Sequence, residues 1–299
     1  MFKADEELLK KIKQIQFKAK HLVSETFSGE YESAFRGRGM EFDEIRPYLA
    51  GDDVRSIDWN VTARMGRPHV KIYRDERELT VLFVVDVSGS MRFGSNEKLK
   101  MELAAEISAL LAYAALKGGD KVGLLIFAGG IEHYIPPRKG RGHIYGIIKD
   151  ILSFRPEERQ THESTDIEGA TRFMRQVLKH RSIVFFISDF LMSDYQLPLS
   201  YLGRAHDLVC INLMDRREQR IPKMGYVEFV DAETKEVFLV NTSDTKWRSS
   251  FEESMKERLN QLTRFFQSRK IDSIFLENHQ HYVDEIVRFF RRREKRRGR

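Results

Sequence analysis

Between residues 79 and 277 the chain alternates short continuous apolar runs with segments whose apolar positions recur every three or four residues. Strand-length runs mark strands buried on both faces and the intervening period marks amphipathic helices. The pattern therefore predicts an α/β fold, a doubly wound, mostly parallel sheet with helices on both faces. Strands are expected at residues 79–86, 122–128, 182–189, 208–213 and 272–276, with 131–135 as a short antiparallel partner turned by Gly129-Gly130. Helices are expected at 97–117, 143–154, 167–178, 197–206 and 247–270, and a hairpin at 226–240 turning at 232–235. Upstream, an amphipathic helix at about 5–23 leads into a segment rich in Gly, Arg and Asp and an extended pair around 68–74. The organisation expected is an N-terminal elaboration (1–78) packed on the main α/β domain (79–280), then a C-terminal helix with a basic tail (281–299).

Composition narrows the class. A hydrophobic fraction of 41% with only 7 Pro among 299 residues excludes a disordered or low-complexity chain. A single cysteine, Cys210, excludes a disulfide framework within one chain and any multi-cysteine metal centre, and an inert thiol inside a strand is expected there. The longest apolar runs are far short of a membrane span, and the first residues mix both charges without a signal-peptide core, so a cytoplasmic location is expected. Net charge is +6, but the run from Arg288 onward holds eight basic residues against Glu294 and leaves the other 287 residues near −1. Basicity is thus a terminal feature: a solvated helix end, or a contact for an acidic surface, with nucleic acid disfavoured.

The candidate chemistry sits where three predicted strands end at the carboxyl edge of the sheet, the edge at which open α/β sheets place ligands. The first loop reads Asp86-Val-Ser88-Gly-Ser90-Met91, and alternation turns Asp86, Ser88 and Ser90 to one side. The second loop reads Ser164-Thr165-Asp166 and the third Ser188-Asp189, from which Thr165 and Asp189 join the set. Two carboxylates and three hydroxyls make a hard oxygen set suited to Mg²⁺ or Mn²⁺, one ligand short of an octahedron, which an Asp or Glu of a protein partner can complete. Simpler roles also exist: Thr165 with Glu168 fits a helix capping box, and Asp189 fits a cap after its strand. Met91, directly after Ser90, reads as core, with exposure beside the ion toward a partner as the alternative.

Asp86-Val-Ser88-Gly-Ser90, Thr165 and Asp189 resemble the metal-ion-dependent adhesion site of von Willebrand factor A domains. That resemblance implies direct binding of Mg²⁺ by Ser88, Ser90 and Thr165, with Asp86 and Asp189 acting through water. Upstream, residues 37–64, with Arg46, Tyr48, Asp52, Asp53, Arg55, Asp58 and Trp59, are similar to the signature of the bacterial domain of unknown function 58 family, as is the Phe289-Phe290-Arg291-Arg292-Arg293 run. Read from its residues, the upstream stretch is an ion-pair network clamping a loop around Tyr48 and Trp59, or a docking surface. The family resemblance implies a non-enzymatic interaction module that holds a partner's carboxylate through its metal, an adaptor for a MoxR-type AAA+ ATPase in a chaperone-like system. The chain itself has no Gly-x-x-x-x-Gly-Lys-Ser/Thr loop. The alternatives are a Mg²⁺-dependent hydrolase or phosphatase, for which His133, His143 and His162 are the candidate bases, and a scaffold whose metal site is idle.

Overall fold

A computed structural model describes residues 2–23, 25–35, 41–74, 78–95, 98–154, 165–230, 236–278 and 281–297. Its chain begins with α1 (Phe2–Leu22) and α2 (Glu25–Phe35). The sequence reading passed over α2, whose apolar stripe is Phe27, Tyr31, Ala34 and Phe35, diluted by Ser28, Gly29 and Glu30. The signature segment forms an antiparallel pair, β1 (Glu41–Pro47) with β2 (His69–Arg74), enclosing a 3₁₀ turn and α3 (Trp59–Met65). Asp58 caps α3 by accepting the N–H groups of Asn60 and Val61, and Gly66 ends it in the left-handed conformation at φ 69°. Ion pairs hold this segment as expected: Arg46 grips Asp52 through two 2.7 Å bonds and Lys71 pairs with Asp58. They do not enclose both aromatic rings, because Trp59 is 67% exposed. Residues 37–40 of the signature lie outside the described residues.

The main sheet follows from β3 (Thr80–Asp86), α4 (Lys100–Lys117), β4 (Lys121–Phe127), β5 (Ile131–Arg138), α5 (Arg141–Ser153), α6 (Ile167–Val177), β6 (Ile183–Ser188), α7 (Gln196–Ala205), β7 (Asp207–Met214) and α8 (Arg216–Gln219). A second hairpin, β8 (Tyr226–Val230) with β9 (Val237–Asn241), precedes α9 (Thr245–Arg269), β10 (Asp272–Glu277) and α10 (Tyr282–Arg297). The expected turn of that hairpin at 232–235 lies outside the described residues; its outer face carries exposed Tyr226, Val230, Val237 and Leu239. Six strands pair in the order β10-β7-β6-β3-β4-β5, all parallel except β5, which runs antiparallel to β4. The fold is therefore α/β with a mostly parallel central sheet.

Period-two alternation divides the core. Val81, Phe83 and Val85 face a layer built from α1, α2, α4, α5 and α10, while Leu82 and Val84 face one built from α6, α7 and α9. Both sets are completely buried, which is why these strands read as unbroken apolar runs. Cys210 is buried on the second face, and Leu262 and Phe266 of α9 are core there, as expected. Phe27, Tyr31 and Phe35 of α2 meet Phe290 of α10 edge-on. Arg293 of the same helix is buried, stacked on Phe35, and donates to Asp207, Asp272 and the Ala34 carbonyl. The basic tail is thus partly an internal clamp: Arg288, Arg291 and Arg296 pair with Glu285, Glu30 and Asp272.

Candidate cation site

The central strands β3 and β6 are neighbours, so register alone brings their carboxyl ends together, with Val85 opposite Ile187. Asp86 ends β3, and Ser88 starts a 3₁₀ turn over Gly89–Arg92 that brings its hydroxyl oxygen to 3.2 Å from that of Ser90. Adjacent ligands on an octahedral cation with bonds of about 2.1 Å stand roughly 3.0 Å apart, so the pair fits two neighbouring ligand positions. Asp86 is 1% exposed and its carboxylate is fully engaged: Oδ1 accepts the Ser88 N–H at 2.9 Å and Oδ2 accepts the Ser188 hydroxyl at 2.7 Å. Burial, and behind it the charge of Asp189, push Asp86 up to about 7.

Asp189 follows β6. Its Oδ1 accepts the Leu191 N–H in a local turn, not as a helix cap, because α7 begins only at Gln196 and has no side-chain cap; its Oδ2 accepts the ammonium of Lys100 at 2.8 Å. Asn212 of β7 donates to the Asp189 carbonyl. The two carboxylates therefore have room for a cation through their second lone pairs or through water, and the hydroxyls of Ser88 and Ser90 are the better direct ligands. This donor set fits a hard divalent cation.

Thr165 stands apart from these four in its support. The Asp166 N–H donates to the Ala128 carbonyl at 2.7 Å, tying the loop just beyond the end of β4, the strand beside β3. The expected Thr165–Glu168 capping box is not formed: Asp166 is the cap of α6, accepting the Gly169 N–H at 2.7 Å. A carboxylate one residue later took that role, which removes capping as the reason for Thr165. Thr165 instead lines a cleft of about 880 Å³ between α6 and α7, together with Arg172, Arg175, Leu197 and Tyr201. Ser164 lies outside the described residues.

Two alternatives around the site are not taken up. Met91 is fully buried in the core beneath the 3₁₀ turn, because that turn rolls it inward after Ser90. The candidate bases are occupied elsewhere: His133 Nε2 lies 3.2 Å from Asp150 and His143 Nε2 lies 2.8 Å from the Val122 carbonyl, while His162 lies outside the described residues. Ser188 stood beside Asp189 in the sequence reading without a role of its own, and Asn212, Lys100 and Glu218 were missed. Lys100 is completely buried between Asp189 and Glu218, whose Oε1 it reaches at 2.6 Å. Burial works to strip its proton, but the two carboxylates outweigh that and hold its pKa above the ordinary value. A lysine opening a largely apolar helix, where the helix dipole disfavours a cation, was the one available signal.

Comparison with known proteins agrees with the upstream signature. The model of the family described as "Protein of unknown function DUF58" matches residues 44–261. "Uncharacterized protein Rv1480" of Mycobacterium tuberculosis is 31% identical over 231 residues, covering 77% of this chain and 72% of its own. "Uncharacterized protein MAV169" of Mycobacterium avium is 27% identical over 162 residues, 54% of this chain and 94% of its own. Among solved structures, conserved hypothetical protein BatB from Bacteroides thetaiotaomicron covers 73% of this chain and 99% of its own at 15% identity, with a TM-score of 0.44. An aerotolerance-related membrane protein from Bacteroides fragilis gives 0.45 at the same identity and coverage. The chain belongs to the DUF58 family. Among the described residues, no helix is long and apolar enough to cross a membrane.

Proposed function

We propose that this DUF58 protein is a non-enzymatic interaction module whose central sheet is a von Willebrand factor A-like domain. In this reading Asp86, Ser88, Ser90, Thr165 and Asp189 hold Mg²⁺ or Mn²⁺ and, through it, an Asp or Glu of a protein partner. The observation that carries it is the pair of serine hydroxyls 3.2 Å apart at the end of β3, set against the buried carboxylate of Asp86 and beside Asp189 at the end of the adjoining strand. The bound cation would supply an open position able to accept a carboxylate oxygen.

The chain's own residues do the rest. Ser88 and Ser90 present oxygens without adding charge, so a cation here keeps positive charge to offer an incoming anion. The Ser188 hydroxyl and Ser88 N–H keep the Asp86 carboxylate aimed, and Lys100 and the Leu191 N–H do the same for Asp189. The cleft between α6 and α7 has Thr165 in its wall and is large enough to take a partner segment beside the site. By family resemblance the partner is a MoxR-type AAA+ ATPase or its client, with this chain as the adaptor.

Titration of the protein with Mn²⁺, followed by water-proton relaxation, is expected to show one saturable site that is lost in Asp86→Ala and in the Ser88→Ala, Ser90→Ala double variant. Saturable binding retained in both variants would place the ion elsewhere. A pull-down of the ATPase that Asp86→Ala leaves intact would remove the metal from the partner contact and leave a scaffold.

A further inference from the structure

Lys100 is the only lysine among the described residues that solvent does not reach. Its ammonium lies 2.8 Å from Asp189 Oδ2 and 2.6 Å from Glu218 Oε1. Glu218 is anchored in turn, its Oε2 accepting the Asp215 N–H, and Asp215 accepts the N–H and hydroxyl of Ser95 and the N–H of Arg217. Lys100 is therefore a fixed positive charge in direct contact with one of the two carboxylates of the cation site.

Positioning alone does not call for a charge. A neutral donor of similar reach would aim Asp189 equally well, without the cost of desolvating an ammonium and without opposing the positive end of α4, which Lys100 opens. What an ammonium adds is electrostatic. Beside Asp189 and Glu218 it cancels one of two negative charges, and it repels a second cation placed on the far side of Asp189.

Resting on the reading of Asp86, Ser88, Ser90, Thr165 and Asp189 as a cation site, we propose that Lys100 is the built-in counter-cation of that site. It is a positioning residue that aims Asp189 and at the same time holds down the affinity for a divalent cation, so that this chain alone keeps the ion weakly. A lysine that only propped the loop would, on removal, loosen Asp189 and weaken binding. The counter-cation role has the opposite sign, and that difference makes it measurable.

The test is a Mn²⁺ titration of the full chain by water-proton relaxation, comparing the unmodified protein with Lys100→Met and Glu218→Gln, folding being checked by circular dichroism. Folded Lys100→Met is expected to bind Mn²⁺ at least about tenfold more tightly, and to gain more in melting temperature from Mn²⁺ over EDTA than the unmodified protein does. Equal or weaker binding by folded Lys100→Met, with saturable binding in the unmodified protein, overturns the role of Lys100 and leaves the cation site standing. No saturable binding in either overturns both. If Lys100→Met does not fold, Glu218→Gln decides: its loss commits the ammonium to Asp189 and is expected to weaken Mn²⁺ binding about threefold or more, whereas unchanged affinity overturns the proposal.

Discussion

Every oxygen of Asp86 and Asp189 is already engaged by a donor from the chain, and both side chains are held by backbone N–H groups two residues onward. Such local bonds follow from short Asx geometry, so the placing of Asp86, Ser88, Ser90 and Asp189 at the carboxyl ends of strands was legible in the sequence, their role as ligands being the proposal. Lys100 was not, because a lysine in the first turn of a helix reads as solvated until the fold delivers two carboxylates to it from β6 and α8. Met91 left two readings open for a related reason: nothing local distinguishes a methionine lying over an ion from one rolled beneath a 3₁₀ turn. The cap of α6 shows how one residue changes a role, since Asp166 rather than Thr165 takes the Gly169 N–H. Replacement Asp166→Ala is expected to cost about 1 kcal/mol in urea unfolding, and Thr165→Ala much less. The reverse ranking would restore the capping role to Thr165.

At the level of elements, six strands were readable because each carries an apolar run or alternation that no solvated segment would keep. The α2 helix was missed although its stripe at Phe27, Tyr31, Ala34 and Phe35 has the helical period, because three small or polar residues lie within one turn of it. In the signature segment the polar residues define α3 more than the apolar ones do. Lys71, and after it the N–H groups of Val61 and Asn60, hold Asp58 below its ordinary value of 3.8. Folding thus favours its ionised form. That contribution is complete above the ordinary carboxylate range and is lost as pH falls into the lowered range of the folded state. The amide signals of Asn60 and Val61, followed by NMR through an acid titration, are expected to shift with a midpoint below 3.8, and a midpoint at or above that value would contradict the cap.

Over the whole molecule, Arg293 joins pieces far apart in sequence: the end of α2, the start of β7 and the start of β10. Its guanidinium separates Asp207 from Asp272, so Arg293→Met is expected to lower the stability to urea by about 3–5 kcal/mol, while a loss under 1 kcal/mol would mean that the aromatic contacts around Phe290 suffice. Reading the tail as a solvated run overlooked this, since a charge run gives no sign of which member turns inward. The same junction sets an order for synthesis. The rings of α2 leave the ribosome early, yet the arginine that bonds the Ala34 carbonyl follows 259 residues later. Until α10 is synthesised, the face of α2 that meets Phe290 lacks its cover, so this helix pair docks only after the strands of the sheet have been made.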